Sequence, residues 1–395
     1  MSGLRAAPAA RRPVIAGLGL TAVGKVYGPT PAQFAAEAVR RAVADAGLRL
    51  ADVDGLLTSS GVTGGISVDL QRGLGLTDLR MLSHLQSYGA TAATMIQVAS
   101  LAVTSGTASV VACVFADSPL RPDRGAGAAY GTRRAPAGWW GLLGASGLVG
   151  ANPQYALAAR RHMARFGTTT EQLGHIAVAQ RAWAALNPVA QQRETITLAD
   201  HQASRWIAEP LRLLDCCLVS NGGAAVIVTT AERAAGLRQP AVHVLGWAQS
   251  HPGHYLRRHP DFGLVTGAAT AGPAALAMAG LALADVDVAE LYDCYTFTVL
   301  VSLEDYGFCA KGEGGPFVAS GVLGPGGKLQ LNTGGGQLSG YYLWGMTPVA
   351  EAIVQLRGQG GERQADQHDI ALVSGNGGVL DHHATLVLGS AAGAS

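Results

Sequence analysis

LQLNTGGGQLSGYYLWG, residues 329–345, reads as a short apolar strand that runs into three consecutive glycines, a Gly-Tyr-Tyr step and then a helical pattern from Thr347 to Leu356. Glycine lets backbone approach a ligand closely, and a helix that starts there presents N–H groups with no partner inside the helix. Tyr341 and Tyr342 stand where the turn opens. As aromatic residues they either pack the turn or bring hydroxyls to a site.

Outward from this turn, the first half of the chain shows the same order. Val14 to Gly17 is a short strand, and Pro31 to Ala46 is a helix with Ala35, Ala36, Val39, Ala42 and Val43 on one face. Val53 to Thr58 and Met81 to Gln86 are strand-like. Ser87-Tyr88-Gly89 then opens an apolar helix from Ala90 to Thr104, which stops at Ser105-Gly106 before a buried strand from Ala108 to Phe115. The segment from Ala46 to Asp54, AGLRLADVD, matches AGLALADVD from Ala279 to Asp287 at a constant offset of 233 residues. The turn at Ser339-Gly340-Tyr341, its helix and the strand Ile370 to Ser374 mirror the turn at Tyr88-Gly89, its helix and its strand. Two matches in one order predict an internal duplication.

One α/β half is therefore expected at 11–116, completed by 212–232 with a strand from Gly222 to Thr230. The other is expected at 240–395, starting with a strand from Val242 to Trp247. Residues 117–211 do not fit the repeat and read as an inserted loop domain, with helices at Ala156 to Phe166, Thr170 to Leu186 and Leu198 to Ile207. Its apolar Trp139, Trp140, Leu142 and Leu143 either cover an apolar ligand or pack a subunit interface.

Composition removes several function classes. The 395 residues are 48% hydrophobic and 14% charged with a net charge of +1, and mean hydropathy is +0.22. A large core is available, and no basic stripe exists for nucleic acid. Low charge suits an oligomer that buries surface between subunits. The Ala/Arg-rich residues 1–13 lead into no apolar run of signal-peptide length, and the run from Trp139 to Gly150 is too short and too glycine-broken to span a bilayer. Cys113, Cys216, Cys217, Cys294 and Cys309 are odd in number and lack C-x-x-C spacing, which points to a reduced, cytoplasmic protein without a metal ribbon. His251, His254, Arg257, Arg258 and His259 lack a spaced carboxylate or cysteine, so they read as a solvated loop rather than a metal site.

A duplicated α/β chain with a helical insertion after its fourth strand resembles the thiolase superfamily, over nearly the whole length. The likeness is to the sterol-carrier-protein type in Tyr155 to Phe166, Asp215 to Val228, the L-Y-D-C-Y-T segment from Leu291 to Thr296, and S-G-N-G-G from Ser374 to Gly378. The resemblance implies a five-layered α-β-α-β-α fold, an acyl-CoA ligand and a homodimer. Thiolases use a nucleophilic cysteine at the start of the first-half helix, an Asn or His in N-E-A-F or H-D-C-F, a His in G-H-P, and a second cysteine before a glycine run. Here Gly89 stands at the nucleophile, Tyr292 at the Asn or His, Tyr341 at the G-H-P histidine and Val373 at the second cysteine. Glycine cannot form an acyl-enzyme, so thiolysis is not expected. Cys294 belongs to the motif itself and reads as a small buried residue, with a substitute nucleophile as the other reading. Asp293 is expected to fix local backbone, and His382 and His383 to orient the Gly377-Gly378 turn.

Tyrosine at two proton-transfer positions suits proton exchange with an alcohol and an enolate. This pattern resembles the lipid-transfer-protein-like aldolases of steroid side-chain degradation. It implies retro-aldol cleavage of a β-hydroxyacyl-CoA, a steroid side-chain thioester, to a ketone and a short acyl-CoA such as propanoyl-CoA. Tyr292 and Tyr341 are the expected catalytic pair, with Tyr342, Tyr295 and Cys294 as secondary candidates. The backbone at Gly89 and Gly375 is the expected oxyanion site. No metal or cofactor is expected beyond coenzyme A as part of the substrate, and the resemblance implies a small zinc-ribbon/OB-fold (DUF35-type) partner. A non-catalytic acyl-CoA or lipid carrier, or a structural thiolase-like subunit, is the alternative.

Overall fold

The computed structural model describes residues 11–129, 138, 141–253 and 259–394. Trp139, Trp140, His254, Arg257 and Arg258 lie outside the described residues.

Two five-stranded units repeat one another. In the first, β1 (Pro13–Leu20), β2 (Gly55–Ser60), β3 (Met81–His84) and β4 (Val111–Asp117) alternate with α1 (Pro31–Ala46), α2 (Leu70–Leu74) and α3 (Thr91–Ser105). The insertion carries α4 (Gly141–Ala145), α5 (Ala151–Phe166), α6 (Thr170–Ala185), α7 (Leu198–Ala203) and a hairpin of β5 (Trp206–Ala208) and β6 (Leu211–Arg212). The chain then returns to the sheet as β7 (Gly222–Thr230). After α8 (Ala231–Ala234), the second unit runs β8 (Val242–Ser250), α9 (Ala268–Ala279), β9 (Val288–Glu290), α10 (Thr296–Tyr306), α11 (Gly314–Ala319), β10 (Gln330–Leu331), α12 (Met346–Leu356), β11 (Ile370–Gly377) and β12 (His382–Gly389).

Strand order is β3-β2-β4-β7-β1 in one unit and β10-β9-β11-β12-β8 in the other, the same order read inward from each edge. In both, the outer two pairings are parallel and the inner two antiparallel. The units meet edge to edge at β1 and β8 over two residue pairs, Val14 with His243 and Ile15 with Val242. α1 covers one face of the first sheet, α9 covers a face of the second with α10 against it, and α3 and α12 touch each other while packing on both sheets. This is the five-layered α-β-α-β-α arrangement that the resemblance implied. α3 is buried over most of its surface, at Ala92, Ala93, Met95, Ile96, Ala99 and Val103 among others, with Leu101 exposed near its C-terminal end, as suits a helix between two sheets.

The sequence repeat recurs as a repeat of hydrogen bonds. Asp54 accepts from the N–H groups of Ser109 (2.8 Å) and Val110 (2.8 Å) ahead of β4. Asp287 accepts from Asp369 (2.8 Å) and Ile370 (2.9 Å) at the start of β11. Each carboxylate ties a helix-to-strand turn to the neighbouring strand. Charge-assisted bonds of this kind contribute about 1.5–3 kcal/mol. Asp54→Ala and Asp287→Ala are each expected to cost stability of that order, read as a lower denaturant midpoint at unchanged slope.

Several boundaries differ from expectation; the first insertion helix, for example, begins at Ala151 rather than Ala156. The strand expected from Ala108 begins at Val111. The third insertion helix ends at Ala203, because Ser204 is extended (ψ 146°) and leads into the β5–β6 hairpin.

Candidate active site

The turn before α3 and the turn before α12 are built alike. Tyr88 and Trp344 each hold a left-handed conformation (φ 52° and 49°) and each precedes a glycine, Gly89 or Gly345. Ser87 N–H donates to Thr91 Oγ1 (2.7 Å), and Leu343 N–H donates to Thr347 Oγ1 (3.0 Å). The counterpart of Gly89 in the second half is therefore Gly345, which corrects the mirror expected at Ser339-Gly340-Tyr341. The two backbones touch at this point: a Cβ on Gly345 would lie 2.4 Å from Gly89 O, and one on Gly375 would lie 2.9 Å from the same atom.

Tyr292 leaves the end of β9 and lays its ring on Gly89. A Cβ at Gly89 would fall 2.2 Å from Tyr292 Cζ and 2.1 Å from Asn376 O. The volume that a cysteine side chain would need is thus filled by the tyrosine.

Gly336–Gly340 forms a π-helical turn, with Gly340 N–H donating to Gly335 O (3.2 Å) and Tyr341 N–H to Gly336 O (3.3 Å). Tyr341 then adopts extended backbone (φ −157°, ψ 163°), so it and Tyr342 point to opposite sides. The buried Tyr341 phenol is held well above its ordinary value, first by burial and then by the Glu351 carboxylate, with Arg363 opposing and Glu290 adding to the rise. Tyr342 is half-buried, and its hydroxyl lies 3.1 Å from that of Tyr292. The expected pairing of Tyr292 with Tyr341 is therefore corrected: the hydroxyl beside Tyr292 belongs to Tyr342, and Tyr341 faces the Glu290–Glu351–Arg363 cluster.

Contacts from outside its own segment fix Tyr342 and the turn that precedes it. Its N–H donates to Ser220 Oγ (2.8 Å), which also accepts from Gln191 Nε2 (2.5 Å). Gln191 and Gln192 N–H groups donate to Gly340 O (2.8 Å) and Ser339 O (3.0 Å). Arg181 Nε donates to Ser339 Oγ (2.8 Å). These insertion and return-loop residues carry no motif in the sequence, and only the fold brings them to the turn.

Cys294 and Tyr295 lie behind the tyrosine pair. Burial pushes the Cys294 thiol up to about 12, so it is not a thiolate nucleophile at neutral pH. The Tyr295 hydroxyl donates to Asn152 Oδ1 (2.5 Å), and its ring packs on Tyr155 with centroids 4.5 Å apart. Asp293 accepts from backbone N–H groups of the π-helical turn, in line with the backbone role expected for it. His383 is buried with its imidazole against the Tyr306 hydroxyl (2.8 Å), while His382 meets His251 (3.1 Å) and stacks beside Tyr88. Among the described residues no group of three His, Cys, Asp or Glu side chains is placed to hold a metal ion.

Comparison with known proteins gives the family. Residues 248–390 match the family model described as thiolase C-terminal domain-like. The steroid side-chain-cleaving aldolase of Thermomonospora curvata is 38% identical, over 92% of this chain and 95% of that one. The chain belongs to the thiolase superfamily, in its aldolase group. A 17-hydroxy-3-oxo-4-pregnene-20-carboxyl-CoA lyase of Mycobacterium tuberculosis is also 38% identical, over 92% of this chain and 96% of its own length. The solved Ltp2-ChsH2(DUF35) aldolase superposes with a TM-score of 0.86 at 38% identity, covering 97% of this chain and 98% of that one.

Proposed function

We propose that this chain is an acyl-CoA carbon–carbon lyase that cleaves a β-hydroxyacyl-CoA of a steroid side chain by a retro-aldol reaction. The observation that carries the reading is the 3.1 Å approach of the Tyr292 and Tyr342 hydroxyls beside Gly89. The names of its relatives supply the substrate class. One tyrosine oxygen takes the proton of the 3-hydroxyl. The electrons of that O–H bond form the ketone, and those of the C2–C3 bond pass into the thioester carbonyl as an enolate. The other tyrosine delivers a proton to C2. The products are a ketone and a short acyl-CoA such as propanoyl-CoA. The sequence is redox-neutral and needs no cofactor beyond the coenzyme A of the substrate. Backbone at Gly89 and Gly375, which meet at the turn, is the proposed seat for the enolate oxygen.

A small DUF35-type protein is the proposed partner, on the strength of the name of the Ltp2-ChsH2(DUF35) structure. A homodimer is proposed from the low charge of the chain. A cytoplasmic location is supported by five free cysteines. Among the described residues no helix is long and apolar enough to cross a membrane.

The test is an assay of purified protein, with and without a DUF35-type partner, on a tertiary β-hydroxyacyl-CoA with a steroid ring. Release of ketone and short acyl-CoA in equal amounts is expected. Tight binding of the thioester without release would replace the lyase by a carrier.

A further inference from the structure

Asp293 follows Tyr292 in the chain, and its carboxylate is occupied by the turn that presents Tyr342. Gln337 N–H donates to both oxygens at 2.9 Å, and Leu338 N–H donates to Oδ2 at 3.2 Å. A Cβ on Gly336 would lie 2.1 Å from Oδ2, so the turn is moulded on the carboxylate. No lysine, arginine or histidine pairs with Asp293 among the described residues. The titratable groups that share its field are Glu290 from β9, Cys217 from the return loop, and Cys294 beside it. Arg181 of α6 is directed to Ser339 of the same turn.

Both amide atoms of Gln337 are buried without a hydrogen-bond partner, as is Asn332 Nδ2, which a Cβ on Gly336 would also approach (3.1 Å). An uncommitted amide can turn to present either its N–H or its oxygen. Such amides can follow either charge state of Asp293, whereas the backbone N–H groups of Gln337 and Leu338 can only donate.

Resting on the lyase reading above, we propose that Asp293 is a positioning residue whose ionised carboxylate holds the Gly336–Gly340 turn so that Tyr342 meets Tyr292, and that protonating it releases this hold. The ionised group has only acceptors to offer, and three N–H contacts use them. Since Gln337 N–H addresses both oxygens, a proton on either one sets a donor against a donor. Burial raises this carboxyl to about 7, while the Gln337 and Leu338 N–H groups and Gln180 work against the rise.

The sign separates activity from stability. A folded-state value above the ordinary carboxylate range means that this group's contribution to stability is present at acid pH and is lost as pH rises through about 7. Turnover rises over the same interval, because the ionised form aims Tyr342.

The experiment is the pH profile of kcat for wild type and Asp293→Asn, together with amide hydrogen exchange at Gln337 and Leu338. Wild type is expected to lose kcat on the acid side of about 7. Asp293→Asn is expected to lose about 10²-fold in kcat through misplacement, to keep KM within about threefold and to lack the acid limb. Protection of the two amides is expected to fall with acid in wild type and to be low at every pH in the variant. If Asp293→Asn does not fold, Gly336→Ala displaces the carboxylate and reads the same loss. Wild-type kcat with an unchanged acid limb in Asp293→Asn would overturn the proposal. A wild-type protein that cleaves no β-hydroxyacyl-CoA would overturn the lyase reading instead, and amide protection would still report on the hold.

Discussion

Tyr342→Phe is expected to lower kcat by roughly 10²- to 10⁴-fold, the usual loss when a general acid or base is removed, with little change in substrate binding. The hydroxyl it deletes is half-buried, lies 3.1 Å from that of Tyr292 and sits on a backbone fixed by Ser220. Tyr292→Phe is expected to cost the same order. The double variant is expected to lose little more than either single one, because two groups that share a proton act as a unit. Tyr341→Phe is the comparison that gives the result its meaning. Its phenol faces Glu351 and Glu290 across the turn from the Tyr292 hydroxyl, so turnover is expected within about threefold of wild type. Single-turnover rates on a tertiary β-hydroxyacyl-CoA decide the matter. A profound loss in Tyr341→Phe with near-normal Tyr342→Phe would return the catalytic role to Tyr341.

Why the sequence reached Tyr292 and missed its partner by one residue has a physical explanation. The duplication was legible because its signature residues do identical work twice: Asp54 and Asp287 each receive backbone N–H groups at the start of an adjacent strand. Tyr292 was legible because it stands in a strand-to-helix segment of ordinary length. Gly336–Gly340 is different. A turn closed by i→i+5 bonds holds one more residue than an α-helical turn, and the extended backbone at Tyr341 then sends neighbouring side chains to opposite sides. Reading Gly340-Tyr341-Tyr342 as the G-H-P step therefore sets Tyr341 at the histidine, whereas the counterpart of Gly89 is Gly345 rather than Gly340. Ser220 was out of reach for another reason: it is 122 residues from the tyrosine whose N–H it accepts, and a lone serine carries no pattern.

Gly89→Ala is expected to damage both stability and turnover, because no neighbour can retreat cheaply from the added carbon. That carbon would lie 2.1 Å from Asn376 O, a backbone atom of β11, and 2.2 to 2.4 Å from the Tyr292 ring. Overpacking a core typically costs about 1–3 kcal/mol. Pushing Tyr292 by about 1 Å is expected to cost about 10²-fold in kcat as well. Gly89→Cys does not recreate a thiolase on this reading, since its sulfur would extend from a Cβ that already collides with Tyr292. Acetoacetyl-CoA with CoA is expected to yield no acetyl-CoA from that variant. The two clashes can be separated by combining Gly89→Ala with Tyr292→Ala. Removing the ring relieves the side-chain clash and leaves the Asn376 carbonyl in the way, so the double variant is expected to be more stable than the sum of the two single losses predicts. Additive losses in denaturant midpoint would show that the strand carbonyl alone forbids a side chain at Gly89. Favourable coupling would show that Tyr292 and Gly89 are interlocked, each occupying or vacating the space where a thiolase keeps its nucleophile.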